Sequence, residues 1–324
     1  MSQLAIVIPY VGNSKRLEDT LVSVLANRPD GSEVVVVLDA PYDDPYDLDD
    51  EICFVEAPKG TSPAASVNYG IEAAHAPLIH VLTCGCEVSE GWTEAAVACF
   101  EDARVAAVAP LVIQADDRDR VLAAGLGYSP GGQTFHREQG RRAVLIRDLA
   151  DVTAPHPAAA FYRRSALESA GGFPGQWSLP LATLDLALTF DSLGLDVVLE
   201  PQSAVAAPPL CDPVPGAFRR SLEAERFYWR WSGQSKRTSL VAHVGHVTAD
   251  CLAGFANLSV FARTAGRLVG LLGRNGRRNA ARLAELRDGQ RAPAAAPRSH
   301  LRNGPTAIQA IPTSSPTPLI RRAR

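Results

Sequence analysis

Apolar and polar positions along the chain follow two periods. LAIVIPY (4–10) is a continuous apolar run of strand length, and KRLEDTLVSVLANR (15–28) places Leu17, Leu21, Val24 and Leu25 at helical spacing. SEVVVVLDA (32–40) is a second apolar run. Runs that are apolar at every position suit strands covered on both faces, so the opening of the chain predicts two parallel strands joined by a crossover helix. An acidic loop follows, then a short strand at Ile52 to Val55, a helix over about 63–75, and a third major strand in LIHVLTCGCEV (78–88). GWTEAAVACFED (91–102) begins another helix behind it.

From Val105 to Arg147 the pattern changes to short strands between Gly, Pro and charged loops, with GLGYSPGGQ (125–133) as a hairpin signal. HPAAAFYRRSALESAGGF (156–173) reads as a strand and a helix stopped by Gly171-Gly172, and LDLALTFDSLGLDVVLEP (184–201) as a helix and a strand punctuated by Gly194. Alternating strands and helices imply an α/β fold with a doubly wound sheet and a ligand at the carboxyl ends of the strands. The compact domain is expected to span 1–210 and a helical extension 211–288, followed by a basic, Pro/Ala/Ser-rich tail at 289–324. In the extension, 215–233 has an aromatic face of Phe218, Phe227, Tyr228 and Trp231, and 238–288 reads as further helix interrupted at Gly273 to Gly276. The tail is too poor in large apolar residues to offset its ordering entropy and is expected to be disordered.

Composition narrows the function. Of the 324 residues, 46% are hydrophobic, enough for a real core, and the net charge of -3 argues against nucleic-acid binding. Acidic residues gather at Asp43, Asp44, Asp47, Asp49, Asp50 and Glu51, whereas arginines crowd the end of the chain. Six scattered cysteines and an opening that runs straight into a strand rather than a secretory leader fit a reducing, cytoplasmic setting. The best apolar stretch, 247–272, is broken by Asp250, Arg263 and Arg267, which excludes a span. It leaves two readings for 247–282: an amphipathic surface at the inner face of a membrane, or a helix packed on the body or on a partner with Arg263, Arg267, Arg274, Arg277, Arg278 and Arg282 solvated. Cys84-x-Cys86 is only half of a zinc site, and His243 and His246 read as ordinary helix-face residues.

Six strings in order, IVIPYVGNSKRLEDTLVSVL, EVVVVLDA, SVNYGIEAA, LIHVLTCGCEVSEGW, AAFYRRSALESAGGF and LDLALTFDSLGLDVVLEP, resemble the family 2 glycosyltransferases over about Leu4 to Ala207. The resemblance implies a GT-A fold and transfer of a sugar, with inversion, from a nucleoside diphosphate sugar to a glycan, lipid or protein acceptor. It matches Pro9, Tyr10, Asp39 and Asn68 (of Asn68-x-Gly70) to positions around the nucleotide, with Thr83 and Gly85 beside the phosphates and Trp92, after the metal motif, on the acceptor side.

The departures are as informative. Where the family carries an Asp-containing triplet that holds Mg²⁺ or Mn²⁺, this chain has Thr83-Cys84-Gly85, so the metal-ligating Asp is replaced by Gly85. Glu87 shares a face with Gly85 if the strand continues, which makes it a candidate carboxylate. The family's Glu-Asp-x-Asp-Leu string aligns with Ala182-Thr183-Leu184-Asp185-Leu186, leaving Asp185 as the other candidate base, and the His that often follows the last strand is absent from AVAAPPL (204–210). Metal-independent chemistry would then need a protein cation for the phosphates, with Arg163 and Arg164, also placed on the acceptor side, or a helix N-terminus as candidates. The competing reading is an inactive GT-A module that binds a nucleotide sugar, a glycan or a partner.

Overall fold

The computed structural model describes residues 2–147, 152–208, 216–234, 239–254, 259–273 and 276–291. In chain order these form β1 (Leu4–Tyr10), α1 (Ser14–Asn27), β2 (Glu33–Leu38), β3 (Cys53–Glu56), α2 (Pro63–Ala73), β4 (Leu78–Leu82), α3 (Glu94–Ala98), β5 (Val105–Gln114), β6 (Val121–Ala123), β7 (Leu126–Tyr128) and β8 (Thr134–His136). They continue with β9 (Ala159–Arg163), α4 (Arg164–Ala170), α5 (Leu179–Ser192), β10 (Asp196–Ala207), α6 (Ala217–Trp231), α7 (Leu240–Ala253), α8 (Val260–Leu272) and α9 (Gly276–Arg291). The expected tail, beyond Arg291, lies outside the described residues.

The main sheet has the order β10-β5-β9-β4-β1-β2-β3, with β6 added to β5. β1 pairs in parallel with both β2 and β4, while β9 runs antiparallel to β4 and β5, so the sheet is mixed. Alternation divides β1 between two cores: Ala5 and Val7 pack with α2 and α5 on one face, while Leu4, Ile6, Ile8 and Tyr10 pack with α1 on the other. That two-sided burial is why β1 and β2 read as unbroken apolar runs. Caps set the helices: the Asn13 side chain accepts from the Arg16 N–H at the start of α1, and Gly171, with φ 81°, ends α4 where the Gly pair predicted.

Three local expectations change. Residues 105–114 form one long strand instead of short pieces, because β9 and β10 supply partners that override a stretch diluted by Ala106, Ala107, Ala109 and Pro110. The third major strand ends at Leu82 instead of running to Val88. The region after 238 breaks after Ala253 as well as near Gly273; at Gly254 a Cβ would lie 2.9 Å from Val260 backbone atoms. The hairpin at 125–133 is present as β7-β8.

The helices after Gly216 join the same core. Phe227 and Trp231 share a buried cluster with Leu186 and Phe190, although Phe218 of the expected aromatic face is 41% exposed. α8 packs on α6 through Gly266 and Gly270, where a Cβ would come within 2.3 Å of the Phe218 carbonyl oxygen and 2.5 Å of the Glu225 Cβ. Residues 1–290 cluster as one compact unit.

Candidate functional site at the sheet edge

The chain leaves β1 toward β2 on one side and returns as β4 on the other, so the carboxyl ends of β1 and β4 flank a topological switch point, where open α/β sheets bind ligands. Pro9 and Tyr10 end β1, both buried; the Tyr10 hydroxyl lies 3.2 Å from Ser14 Oγ, and its ring meets Tyr42 edge-on with centroids 5.7 Å apart. Asp39 follows β2, and its N–H donates to the Tyr10 carbonyl at 3.4 Å. Its carboxyl is half-buried, which raises its pKa above the ordinary value by desolvation, against a smaller backbone hydrogen bond. No side-chain hydrogen bond or ion pair engages it among the described residues.

Across the switch point, Thr83 to Cys86 form a tight turn closed by the Cys86 N–H on the Thr83 carbonyl, with Gly85 at φ 92° in the third position, where such turns favour glycine. The turn is fastened to both neighbours. The Cys84 thiol donates to the Pro9 carbonyl at 3.3 Å, and the Gly85 N–H donates to Thr20 Oγ1 and to the Arg16 carbonyl of α1. The Arg16 stem lies beside Gly85, its Cδ 3.6 Å from where a Cβ would stand. Arg16 and Asp39 both act on the Cys84 sulfur, although burial dominates and pushes the thiol up to about 12. No sequence motif marks Arg16; its signal is positional, a cation at the start of the first crossover helix, next to the switch point.

This turn corrects the expectation for Glu87. Strand alternation stops at Leu82, so Gly85 and Glu87 do not share a strand face; Glu87 instead bridges to Ala206 and pairs with Arg118. Asn68 donates to the Phe173 carbonyl at 2.9 Å and accepts from the Phe173 N–H at 2.8 Å, so its amide holds the segment after α4. Gly70 lets α2 approach the sheet, since a Cβ there would fall 2.3 Å from Val7 Cγ1. Trp92 is buried, and its indole N–H donates to His80 Nε2 at 3.3 Å. The guanidinium of Arg163 donates to the carbonyls of Phe100, Asp102 and Val105, and that of Arg164 to those of Ile71 and Ala76. These donors brace the backbone and are not directed to the edge.

Asp185 is fully buried in α5. Arg230 donates to both of its oxygens at 2.6 and 3.0 Å, the Trp231 indole N–H donates at 2.7 Å, and Arg282 lies 3.8 Å away. A carboxylate so enclosed has no open lone pair for an acceptor hydroxyl, which corrects its assignment as a base: it fastens α6 and α9 to the body. The expected basic face is used in the same way. Arg263 pairs with Asp250, Arg267 with Glu225 and Asp250, and Arg282 donates to the Ala170 carbonyl; Arg277 and Arg278 are exposed, and Arg274 lies outside the described residues. His243 is likewise buried, stacked on Tyr228 at 3.5 Å and 3.3 Å from Glu225, whereas His246 is exposed.

Comparison with known proteins agrees with this fold. Residues 5–171 match the family described as glycosyl transferase family 2. No curated protein matches the chain in sequence. Among solved structures, the crystal structure of GalNAc-T7 with UDP, GalNAc and Mn²⁺ is similar, with TM-score 0.58 and 14% identity over 72% of this chain and 48% of that one, so this chain spans about half its length. The mannosyltransferase PcManGT from Pyrobaculum calidifontis, in complex with GDP-Man and Mn²⁺, has TM-score 0.53 and 17% identity, covering 88% of this chain and 84% of that one. S. aureus TarS 1–349 has TM-score 0.54 and 12% identity over 90% and 91%. At such identities the likeness concerns the fold, which is the GT-A arrangement.

Proposed function

The chain belongs to glycosyl transferase family 2, and from that premise we propose that it binds a nucleoside diphosphate sugar at the carboxyl ends of β1, β2 and β4 and transfers the sugar to a glycan, lipid or protein acceptor. The observation that carries this reading is the half-buried Asp39 carboxyl, left without a side-chain partner at the switch point. A partly desolvated carboxyl gains from donors, and the base and ribose of a nucleotide supply them. Asp39→Ala should weaken nucleotide affinity by about 1–3 kcal/mol, measured by calorimetry with UDP, GDP and dTDP sugars. Unchanged affinity removes Asp39 from the site.

Transfer needs a base for the acceptor proton. With Asp185 enclosed, Glu87 is the candidate: its side chain is half-exposed, and only one of its carboxylate oxygens is engaged, by Arg118. Glu87→Gln should abolish sugar transfer while leaving nucleotide affinity intact, and retained turnover would remove Glu87. A second reading, binding without transfer, is favoured by the same enclosure of Asp185. Nucleotide-sugar binding with no product from any acceptor class would select it.

A further contact belongs to the extension. No helix among the described residues is long and apolar enough to cross a membrane. Yet Leu252, Phe261, Leu268 and Leu272 are exposed, and a cavity of about 280 Å³ between α6, α7 and α8 is lined by Leu240, Val244, Val247, Leu268 and Leu271. This apolar surface supports peripheral contact with a membrane or a protein partner, which flotation with anionic vesicles tests.

A further inference from the structure

Two of the solved structures described above, GalNAc-T7 and PcManGT, hold Mn²⁺, and the turn at 83–86 here does not suit a hard cation. Divalent ions such as Mg²⁺ take oxygen ligands, carboxylates above all. The turn offers two thiols instead: Cys84, held up near 12 by burial and bonded to the Pro9 carbonyl, and Cys86, pushed up to about 11 by burial and bonded to the Ala158 carbonyl. Both stay protonated at neutral pH, and a thiol ligates a metal as the thiolate. Thr83 Oγ1 lies 3.4 Å from the Ala158 carbonyl oxygen, to which it donates. Gly85 brings no side chain, and an Asp there would be strained at φ 92° and start with its Cβ 3.1 Å from Pro208 Cγ. Among the described residues, the one group of three closely spaced candidate ligands is Asp44, Asp47 and Asp49, in the loop after β2, and it includes no residue of this turn.

What stands against Gly85 is Arg16. We propose that the Arg16 guanidinium takes the place of the divalent cation and binds the diphosphate of the nucleotide donor without a metal. Three observations carry it. The aliphatic stem runs along the glycine that replaces the metal ligand, with Cδ and Cγ 3.6 and 3.7 Å from the would-be Cβ. The residue is only partly buried, and its head group has no hydrogen-bond or ion-pair partner among the described residues, unlike Arg163, Arg164, Arg230, Arg263 and Arg267, each of which is engaged. Its backbone is fixed: the Arg16 N–H is capped by Asn13 at 3.1 Å, and its carbonyl receives the Gly85 N–H, so the stem is anchored to the turn itself. A guanidinium is charged at any working pH and presents a planar fork that matches two phosphate oxygens. The assignment rests on the nucleotide-sugar reading and names the group that neutralises the phosphates in it.

The test is a calorimetric titration of the full chain and of Arg16→Ala and Arg16→Lys with UDP, UMP, GDP and GMP, each in EDTA and in Mn²⁺. The native chain should bind its preferred diphosphate equally well in both. Arg16→Ala should lose roughly 10- to 100-fold in diphosphate affinity and less for the monophosphate, with Arg16→Lys between, since lysine keeps the charge without the fork. Binding that requires Mn²⁺, or Arg16→Ala binding diphosphate like the native chain, overturns the Arg16 assignment and leaves the nucleotide reading standing. If the native chain binds none of the nucleotides with or without Mn²⁺, the nucleotide reading fails and takes the assignment with it. The comparison of EDTA with Mn²⁺ on the native chain alone can overturn the assignment even if Arg16→Ala fails to fold, and Arg16→Lys then reads the contribution of the fork.

Discussion

The carboxyl edge of the sheet and the helices after Gly216 handle charge in opposite ways. At the edge, Asp39 and Arg16 lie beside one turn, and no other side chain hydrogen-bonds or ion-pairs with either among the described residues. In the helices, charges are buried and matched: Asp185 with Arg230 and Trp231, Glu225 with His243, Trp229 and Arg267, Asp250 with Arg263. The first arrangement leaves both charges open to the ligand proposed above, whereas the second is already satisfied by the fold. An acidic residue in a familiar string can therefore serve assembly, and an unremarked arginine can serve binding.

The sharpest way to break this contrast is Asp185→Asn. Removing one partner of a buried pair leaves the Arg230 guanidinium uncompensated, and a loss of about 3–5 kcal/mol is expected in chemical denaturation. Nucleotide affinity of the folded protein should not change. Loss of affinity at native stability would return Asp185 to the site.

An effect at least as large is expected from acid. His80 and His156 are buried with pKa values lowered from 6.5 to about 3, chiefly by desolvation. The unfolded chain takes up these protons below 6.5 and the folded one does not until about 3, so stability is full above that window and falls within it. Each should contribute about 1.4 kcal/mol per pH unit of decline. Glu225 adds to the loss at lower pH. Burial alone would raise its pKa, but the His243 and Trp229 hydrogen bonds and the Arg267 charge bring it below 4.5, so its stabilisation is lost as pH falls through that lowered value. Denaturant midpoints measured from pH 7 to 4 check the slope, and a flat profile would contradict burial of the two neutral histidines.

Smaller is Gly70→Ala, which forces a methyl group against Val7 and Val37 and should cost about 1–3 kcal/mol by thermal or urea unfolding. A neutral result would mean that α2 can move off the sheet. The smallest stability effect belongs to Arg16→Ala, within about 0.5 kcal/mol of native, because the side chain has no polar contact to lose.

Much of the body could be read from the chain because period and burial coincide there: β1 and β2 are apolar at every position, and α1 shows a clean 3.6 spacing. The long β5 was harder, since its alanines carry little strand preference and its partner β10 lies about ninety residues on. At the site, the motif positions Pro9, Tyr10, Asp39 and the 83–85 turn do converge on the switch point. Asn68 and Trp92 could not be judged from spacing, because what fixes them, Phe173 and His80, appears only on folding. Asp185 was misread for the same reason, its partners Arg230 and Trp231 being 45 and 46 positions away in a region that carried no family motif.

The most direct test of the division between edge and helices is a thermal-shift titration with UDP and GDP in EDTA, run on the native chain, Arg16→Ala and Asp185→Asn together. The expected result is a double separation: Arg16→Ala melts like the native chain but gains much less stability from diphosphate at the same ligand concentration, while Asp185→Asn melts lower yet retains the native shift. A retained shift in Arg16→Ala together with a lost shift in Asp185→Asn would contradict the account.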